Sequence, residues 1–294
     1  MANLSSGKLS FLAIRFWALF LLLAPVMAVG GESDQSCRVS DVQPEDIDLD
    51  QPRNQLARNP DLAIPPDARV GDIRIISRPI FDTDEPDQGY LFYRFINWVN
   101  RPTWHSALRA PLVFSEGDPY APSELEESER ILRDRPYLSA AWVGPVRVCG
   151  NEVDIAVLAR DSWTSSLTLG FSRAGGENTA ELGVSDSNFF GSGKGVAVSL
   201  VDGADRTTTS LSYRDPNIWG SRWQGSLRLD ERTDGNGYHV AVERPFFSEK
   251  TQWAMGLEAS EDIREENLFF GGDEVSEFER DRTQLGLNYG RALG

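Results

Sequence analysis

The composition of this 294-residue chain already excludes several classes of protein. With 40% hydrophobic and 25% charged residues, the chain is not disordered by composition and is long enough for one large or two modest domains. Its 29 basic and 45 acidic residues give a net charge of -16, so the basic footprint of a nucleic-acid-binding protein is absent.

The first 28 residues predict a secretory signal peptide. Lys8 precedes an apolar run that ends at residues 26–28, where Val26 and Ala28 fit the small-residue rule of signal peptidase. A membrane anchor is the alternative, but the run is short for a span and contains Arg15. We therefore expect an exported protein whose mature chain begins at Val29.

Residues 29–67 are polar and punctuated by proline, which predicts a linker or a loosely docked arm. The two cysteines, Cys37 and Cys149, suggest one disulfide, because the count is even and the chain is exported. Two unpaired thiols remain the alternative, since spacing alone does not fix connectivity.

Residues 68–161 predict the order strand, helix, helix, strand, strand. Alternation around Ile73 and Ile75 indicates the first strand, and residues 140–148 and 152–159 indicate two more around a tight turn. A short helix at 104–108 would be capped by Thr103. A capping box with Ser123 at the N-cap and Glu126 three residues later opens the longer helix, which is expected to stop near Pro136. The side chains that this helix should bury are Leu125, Ile131 and Leu132.

From residue 162 to the end, apolar and polar residues alternate in about eight runs of roughly ten residues, which indicates antiparallel strands. A soluble sandwich and a transmembrane barrel both produce this pattern, so the alternation alone leaves both open. Export, small polar residues on one face and aromatic residues near the strand ends favour the barrel. In a barrel the candidate lipid-facing residues would be Leu167, Leu169, Phe171, Val196, Val198, Leu200, Leu211, Tyr213, Leu227 and Leu229.

The motifs of common catalytic and nucleotide-binding sites are missing. GSGKG at 191–195 is not a Walker loop, because Lys194 is followed by Gly195, so we interpret it as a turn between strands. The two histidines, His105 and His239, lie far apart in sequence, and no G-x-S-x-G elbow occurs. We expect no enzyme activity, no catalytic or metal site and no cofactor.

Several short motifs occur in register along the chain: GDPY at 117–120, ESER at 127–130, NFFGSGK at 188–194 and DPN at 215–217. Together they resemble the POTRA-plus-barrel superfamily of outer-membrane assembly factors, of the BamA/TamA and bacterial surface antigen type. Residues 68–161 are similar to a POTRA domain and residues 162–294 to the N-terminal part of the barrel. The matching positions are Gly117, Asp118, Tyr120, Glu129, Arg130, Asn188, Gly191, Gly193, Asp215 and Pro216.

The resemblance implies an α+β POTRA domain followed by an antiparallel transmembrane β-barrel. Family barrels have about twice as many strands as are visible here, so we expect an incomplete barrel in an N-terminal portion or truncated form. The implied location is the outer membrane, with the POTRA domain in the periplasm. The implied partners are the lipid bilayer, unfolded outer-membrane or secreted clients and periplasmic accessory proteins, with no nucleic acid.

The implied function is assembly, insertion or translocation of other proteins. Two alternatives stay open: a passive barrel or anchored surface protein without an insertion role, and a soluble periplasmic β-sandwich that binds a ligand. Only residues 160–162 separate the last strand of the first domain from the first barrel strand. This short link predicts that the first domain sits directly beneath the opening strand.

Overall fold

The computed structural model describes residues 37–40, 43–49, 62–81, 91, 100–174, 176–271 and 273–293. The predicted signal peptide lies outside these residues. The described chain contains one sheet of four strands and one sheet of eight.

The four-stranded sheet and two helices form an α+β domain. Its elements are β1 (Arg38–Val39), β2 (Arg69–Arg78), α1 (His105–Arg109), α2 (Pro122–Arg133), β3 (Leu138–Cys149) and β4 (Glu152–Asp161). The strand order is β1-β3-β4-β2, with β2 parallel to β4 and the other pairs antiparallel. The predicted order of strands and helices is therefore confirmed from β2 onward, and β1 is an addition from the arm.

The central strand β4 is buried on both faces. Val153, Ile155 and Val157 are fully buried in a core shared with α1 and α2. Ala156 and Leu158 are fully buried in a second cluster on the opposite face. A strand covered on both sides reads as a continuous apolar run, as β4 does.

The described part of the arm covers that second face, so the prediction of a loose arm is wrong there. Ile47 is 1% exposed and packs with Trp142 and Leu158. β1 pairs with the end of β3, and beside it a disulfide joins Cys37 to Cys149. The arm's apolar residues follow no helix or strand period, which is why the sequence pattern did not reveal their docking.

Both predicted helix caps are wrong. α2 begins at Pro122 with Ala121 as its N-cap, so Ser123 lies inside the first turn and makes no capping bond. Proline at the first helical position is itself a favourable start, because its missing N–H needs no partner there. α1 starts after Trp104, and the Thr103 hydroxyl instead donates a buried hydrogen bond to Asp161.

The burial along α2 also differs from the prediction. Leu125 and Leu132 are buried as expected, whereas Ile131 is only half-buried. Ser128 is fully buried in its place, and its hydroxyl accepts a hydrogen bond from the backbone N–H of Val113 at 3.0 Å. The hydroxyl therefore ties the helix to the segment that precedes it.

The second sheet is an antiparallel meander in which each strand pairs with its neighbours in sequence. Its strands are β5 (Ser165–Ala174), β6 (Glu177–Asp186), β7 (Gly195–Asp202), β8 (Thr207–Asp215), β9 (Gln224–Arg232), β10 (Gly235–Arg244), β11 (Trp253–Phe270) and β12 (Asp273–Arg291). The predicted number of strands is confirmed, but β11 and β12 have 18 and 19 residues rather than roughly ten. Within the described residues the order is linear, with β5 and β12 at the edges, so these strands do not close into a barrel.

None of the helices in the described part of the chain is both long and apolar enough to cross a membrane.

Candidate functional site

One face of the eight-stranded sheet is apolar and exposed. Leu169 and Phe171 on β5 are 72% and 76% exposed, and the other candidate residues on β5 to β9 are exposed or half-buried. Because these side chains are exposed, no second sheet covers this face within the described residues. A soluble sandwich would bury such a surface against its other sheet, whereas a lipid-facing sheet leaves it open.

The opposite face carries a row of ion pairs. Arg228 and Arg232 contact Asp230 at 2.9 and 3.4 Å, and Arg232 also contacts Asp262 on β11 at 3.0 Å. Arg264 continues the row beside Asp262 at 3.6 Å. An ionic face opposite an apolar one is the arrangement of strands with lipid on one side and a polar interior on the other.

Two turns that share a sequence pattern lie at the end of this sheet nearest the α+β domain. They have the pattern D-x-N-x-aromatic-G-S, at 186–192 between β6 and β7 and at 215–221 between β8 and β9. We call them the twin turns. In each turn the aspartate accepts from the backbone N–H of the asparagine two residues later, at 2.8 and 3.0 Å. The serine hydroxyl closes both turns onto a carbonyl three residues back, at 2.6 Å in each.

The aromatic residue of each twin turn has a left-handed backbone. Phe190 has φ 52° and Trp219 has φ 50°, and the glycine after each is also left-handed. For a bulky residue this conformation costs about 1–2 kcal/mol relative to the right-handed one. Gly191 is required for a second reason, since a Cβ there would lie 2.3 Å from the carbonyl oxygen of Pro102.

The first twin turn is bonded to the α+β domain through a buried network. The Asn188 side-chain amide donates to the Thr103 hydroxyl at 2.7 Å, and that hydroxyl donates to Asp161 at 2.6 Å. The Thr103 backbone N–H donates to the other carboxylate oxygen at 3.0 Å. Burial raises the pKa of Asp161, and the two hydrogen bonds from Thr103 oppose that rise. The three residues are at most 4% exposed, so water does not reach their polar atoms, and these hydrogen bonds satisfy them instead.

The second twin turn contacts the same domain through arginines. Arg135 donates to the side-chain oxygen of Asn217 at 3.1 Å. Just after the turn, Arg222 donates to the carbonyl oxygens of Ala110 and Leu112 and stacks over the Phe247 ring at 4.6 Å. Burial lowers the pKa of Arg222, with Arg135 adding to the effect.

Lys194, two residues after the first twin turn, joins that segment to the second twin turn. The Lys194 ammonium contacts the Asp215 carboxylate at 2.9 Å, and this hydrogen bond raises the pKa of Lys194. Residues 162–164 form the covalent link from β4 to β5, two residues later than predicted but as short. Thr164 in this link is buried and donates to the Asn100 side chain at 2.7 Å. We call the contact between the α+β domain and this end of the eight-stranded sheet the junction. It is held by the covalent link, by the two twin turns and by Arg222, which fixes the α+β domain against the sheet.

The motif residues of the α+β domain lie elsewhere, within that domain. Gly117 has φ 87°, and the Asp118 carboxylate accepts a hydrogen bond from the backbone N–H of Ser115 at 2.8 Å. The backbone N–H of Tyr120 donates to the carbonyl oxygen of Ala68 at 2.8 Å, so this turn covers the start of β2. Glu129 accepts from the Val143 N–H at 3.2 Å and ties α2 to β3. Arg130 pairs on the surface with Glu127 and Asp134 and holds the pKa of Glu127 below its usual value.

The structure thus brings Asn188, Gly191, Gly193 and Asp215 together at the junction, with Pro216 in the second twin turn. It adds residues that the sequence analysis missed, namely Thr103, Asp161, Arg135 and Arg222. Their partners lie 58 to 112 positions away, so no local pattern marks them. In the described part of the chain no three His, Cys, Asp or Glu side chains are grouped as metal ligands.

No protein-family model and no curated protein matches the chain. Among solved structures it is similar to BamA from Haemophilus ducreyi lacking POTRA domains 1–3, at 15% identity and a TM-score of 0.45, over 76% of this chain and 44% of that one. It is also similar to CdiB from Acinetobacter baumannii, at 14% identity and a TM-score of 0.44, over 77% of this chain and 43% of that one. The chain spans less than half the length of these two structures.

Proposed function

We propose that this chain is an outer-membrane assembly or translocation factor of the POTRA-plus-barrel type. The observation that carries the proposal is the combination of an α+β domain bonded rigidly to one end of an antiparallel sheet whose opposite faces are apolar and ionic. In this proposal the apolar face meets the lipid and the α+β domain is a POTRA domain in the periplasm.

The proposed working surface is the free edge of β5. Among the described strands β5 pairs only with β6, so one row of its backbone N–H and C=O groups along ten residues has no neighbouring strand. An unpaired strand edge is a template for another strand, and in lipid every such group requires a partner. An extended client strand supplies both partner groups and the alternating side chains that match the sheet.

In this proposal the α+β domain positions the client beside the start of β5. The twin turns and the three-residue link hold it at the end of β5 where that strand begins. Among the described strands, β2 lies at an edge of the domain's own sheet, and beyond its start, which the turn at 117–120 covers, an extended client can add to it. Because the domain is held rigidly there, a client bound to it lies next to the β5 edge.

Photo-cross-linking in cells tests the proposal. A photoreactive phenylalanine analogue replaces Ser166 at the β5 edge, and the same analogue at Ser199 on the interior strand β7 is the matched control. Both serines are on the polar face, so the two positions differ in their access to a strand edge. We expect the edge position to capture newly exported outer-membrane or secreted chains and the interior position to capture none.

The alternatives give different results. A passive barrel would show equal capture at the two positions, and its depletion would leave the levels of other outer-membrane proteins unchanged. A soluble binding protein would fractionate with the periplasm without detergent. Either result would overturn the proposed function.

A further inference from the structure

Each twin turn exposes an aromatic residue whose backbone is left-handed. The left-handed position that each occupies favours glycine or asparagine, yet Phe190 and Trp219 fill it. Trp219 is 99% exposed, and Phe190 is 64% exposed, with the neighbouring Phe189 ring at a centroid distance of 4.4 Å. A strained backbone that presents a large ring to solvent, twice in one sheet, indicates a partner outside the chain.

The position of the twin turns identifies the chemistry of that partner. Both turns lie where the apolar face ends on the side of the α+β domain. The same end carries the exposed aromatic residues Trp163 and Phe246, at 51% each. Aromatic residues concentrate at the boundary between lipid headgroups and acyl chains, because the ring is largely apolar and, in tryptophan, the indole N–H donates a hydrogen bond to headgroups or water.

We propose that Phe190 and Trp219 insert into the headgroup–acyl boundary of the membrane leaflet that faces the α+β domain. Because the same turns bind that domain through Asn188 and Asn217, their insertion also sets the angle between the domain and the membrane. The inference rests on the proposed membrane location of the sheet. It adds that two specific turn residues, outside the strands, are the lipid contacts that orient the domain.

Depth measurement by spin labelling tests this inference in the mature protein reconstituted into phosphatidylcholine and phosphatidylglycerol vesicles. Phe190→Cys and Trp219→Cys each receive a nitroxide, since the native cysteines are joined in a disulfide and do not react. Val198→Cys, in the middle of the apolar face, is the lipid reference. Asp205→Cys, in the β7–β8 turn at the far end of the sheet, is the water reference.

We expect labels at 190 and 219 to have oxygen and nickel-chelate accessibilities between those of the two references. Water-like values at 190 and 219 with a lipid-like value at 198 would overturn the inference and leave the membrane location standing. Water-like values at all four positions would overturn both.

A second measurement needs no cysteine substitution. Subtracting the fluorescence of the Trp219→Phe variant from that of the unmodified protein isolates the emission of Trp219. We expect this difference emission to be blue-shifted in vesicles and quenched by lipids brominated near the headgroup end of the acyl chain. A difference emission at the wavelength of water-exposed tryptophan, unaffected by brominated lipid, would overturn the inference.

Discussion

Removing the Thr103 hydroxyl should weaken the junction in a pH-dependent way. Thr103→Val keeps the shape of the side chain but deletes the donor to Asp161 at 2.6 Å and the acceptor for Asn188 at 2.7 Å. A buried hydrogen bond to a charged group contributes about 1.5–3 kcal/mol and a neutral one about 1 kcal/mol. Together they predict a loss of about 2.5–4 kcal/mol at neutral pH, because water does not reach the atoms left behind.

The sign of the pH dependence follows from Asp161. Burial raises its native pKa above the unfolded value of about 3.9, so the native protein binds the proton more tightly than the unfolded chain does. Stability from this group is therefore fully present below about pH 4 and falls as pH rises through the native pKa. The Thr103 hydroxyl opposes the rise in the native pKa of Asp161, so its removal raises that pKa further from the unfolded value. The variant therefore loses more free energy of unfolding at neutral pH than at pH 4.

The measurement is the free energy of unfolding by urea in lipid vesicles, followed by tryptophan fluorescence at pH 4 and pH 7. Thr164→Val is the matched control, because Thr164 is also buried but donates to a neutral partner, the Asn100 amide oxygen. We expect its loss to be about 1 kcal/mol and similar at both pH values. An equal loss for Thr103→Val at pH 4 and pH 7 would refute the assigned role of Asp161.

Three further predictions concern export, the arm and the apolar face. The mature protein should begin at Val29, and an intact mass that retains the first 28 residues would contradict this. Replacing Cys37 and Cys149 by serine should cost about 4–5 kcal/mol, since the disulfide closes a ring across 112 positions, and unchanged denaturation midpoints would count against it. Leu169→Arg should cost about 2–4 kcal/mol in vesicles and Thr168→Arg less, whereas equal losses would indicate that the two faces have the same environment.

The sequence determined the parts of this protein that depend on local periodicity. Alternation with a period of two indicated the strands of the second sheet, because side chains of a strand point to opposite faces. The continuous apolar run of β4, in contrast, was assigned only as a strand. A continuous apolar run is typical of a strand that is buried on both faces, so it also indicates a second covering layer. The arm supplies this layer through Ile47 and Leu49. The even cysteine count also predicted a disulfide between Cys37 and Cys149, which the structure confirms.

Only the tertiary structure decided the junction. The Thr103 side chain reads as a helix cap in sequence, yet it bonds to Asp161, which is 58 positions away, and to Asn188, which is 85 positions away. The same holds for Arg222, whose carbonyl partners precede it by 110 and 112 positions. A local pattern records which face of an element is apolar, because burial repeats with the period of the backbone. The choice of one hydrogen-bond partner over another depends on which segments the folded chain brings within 3 Å, and no residue spacing encodes that.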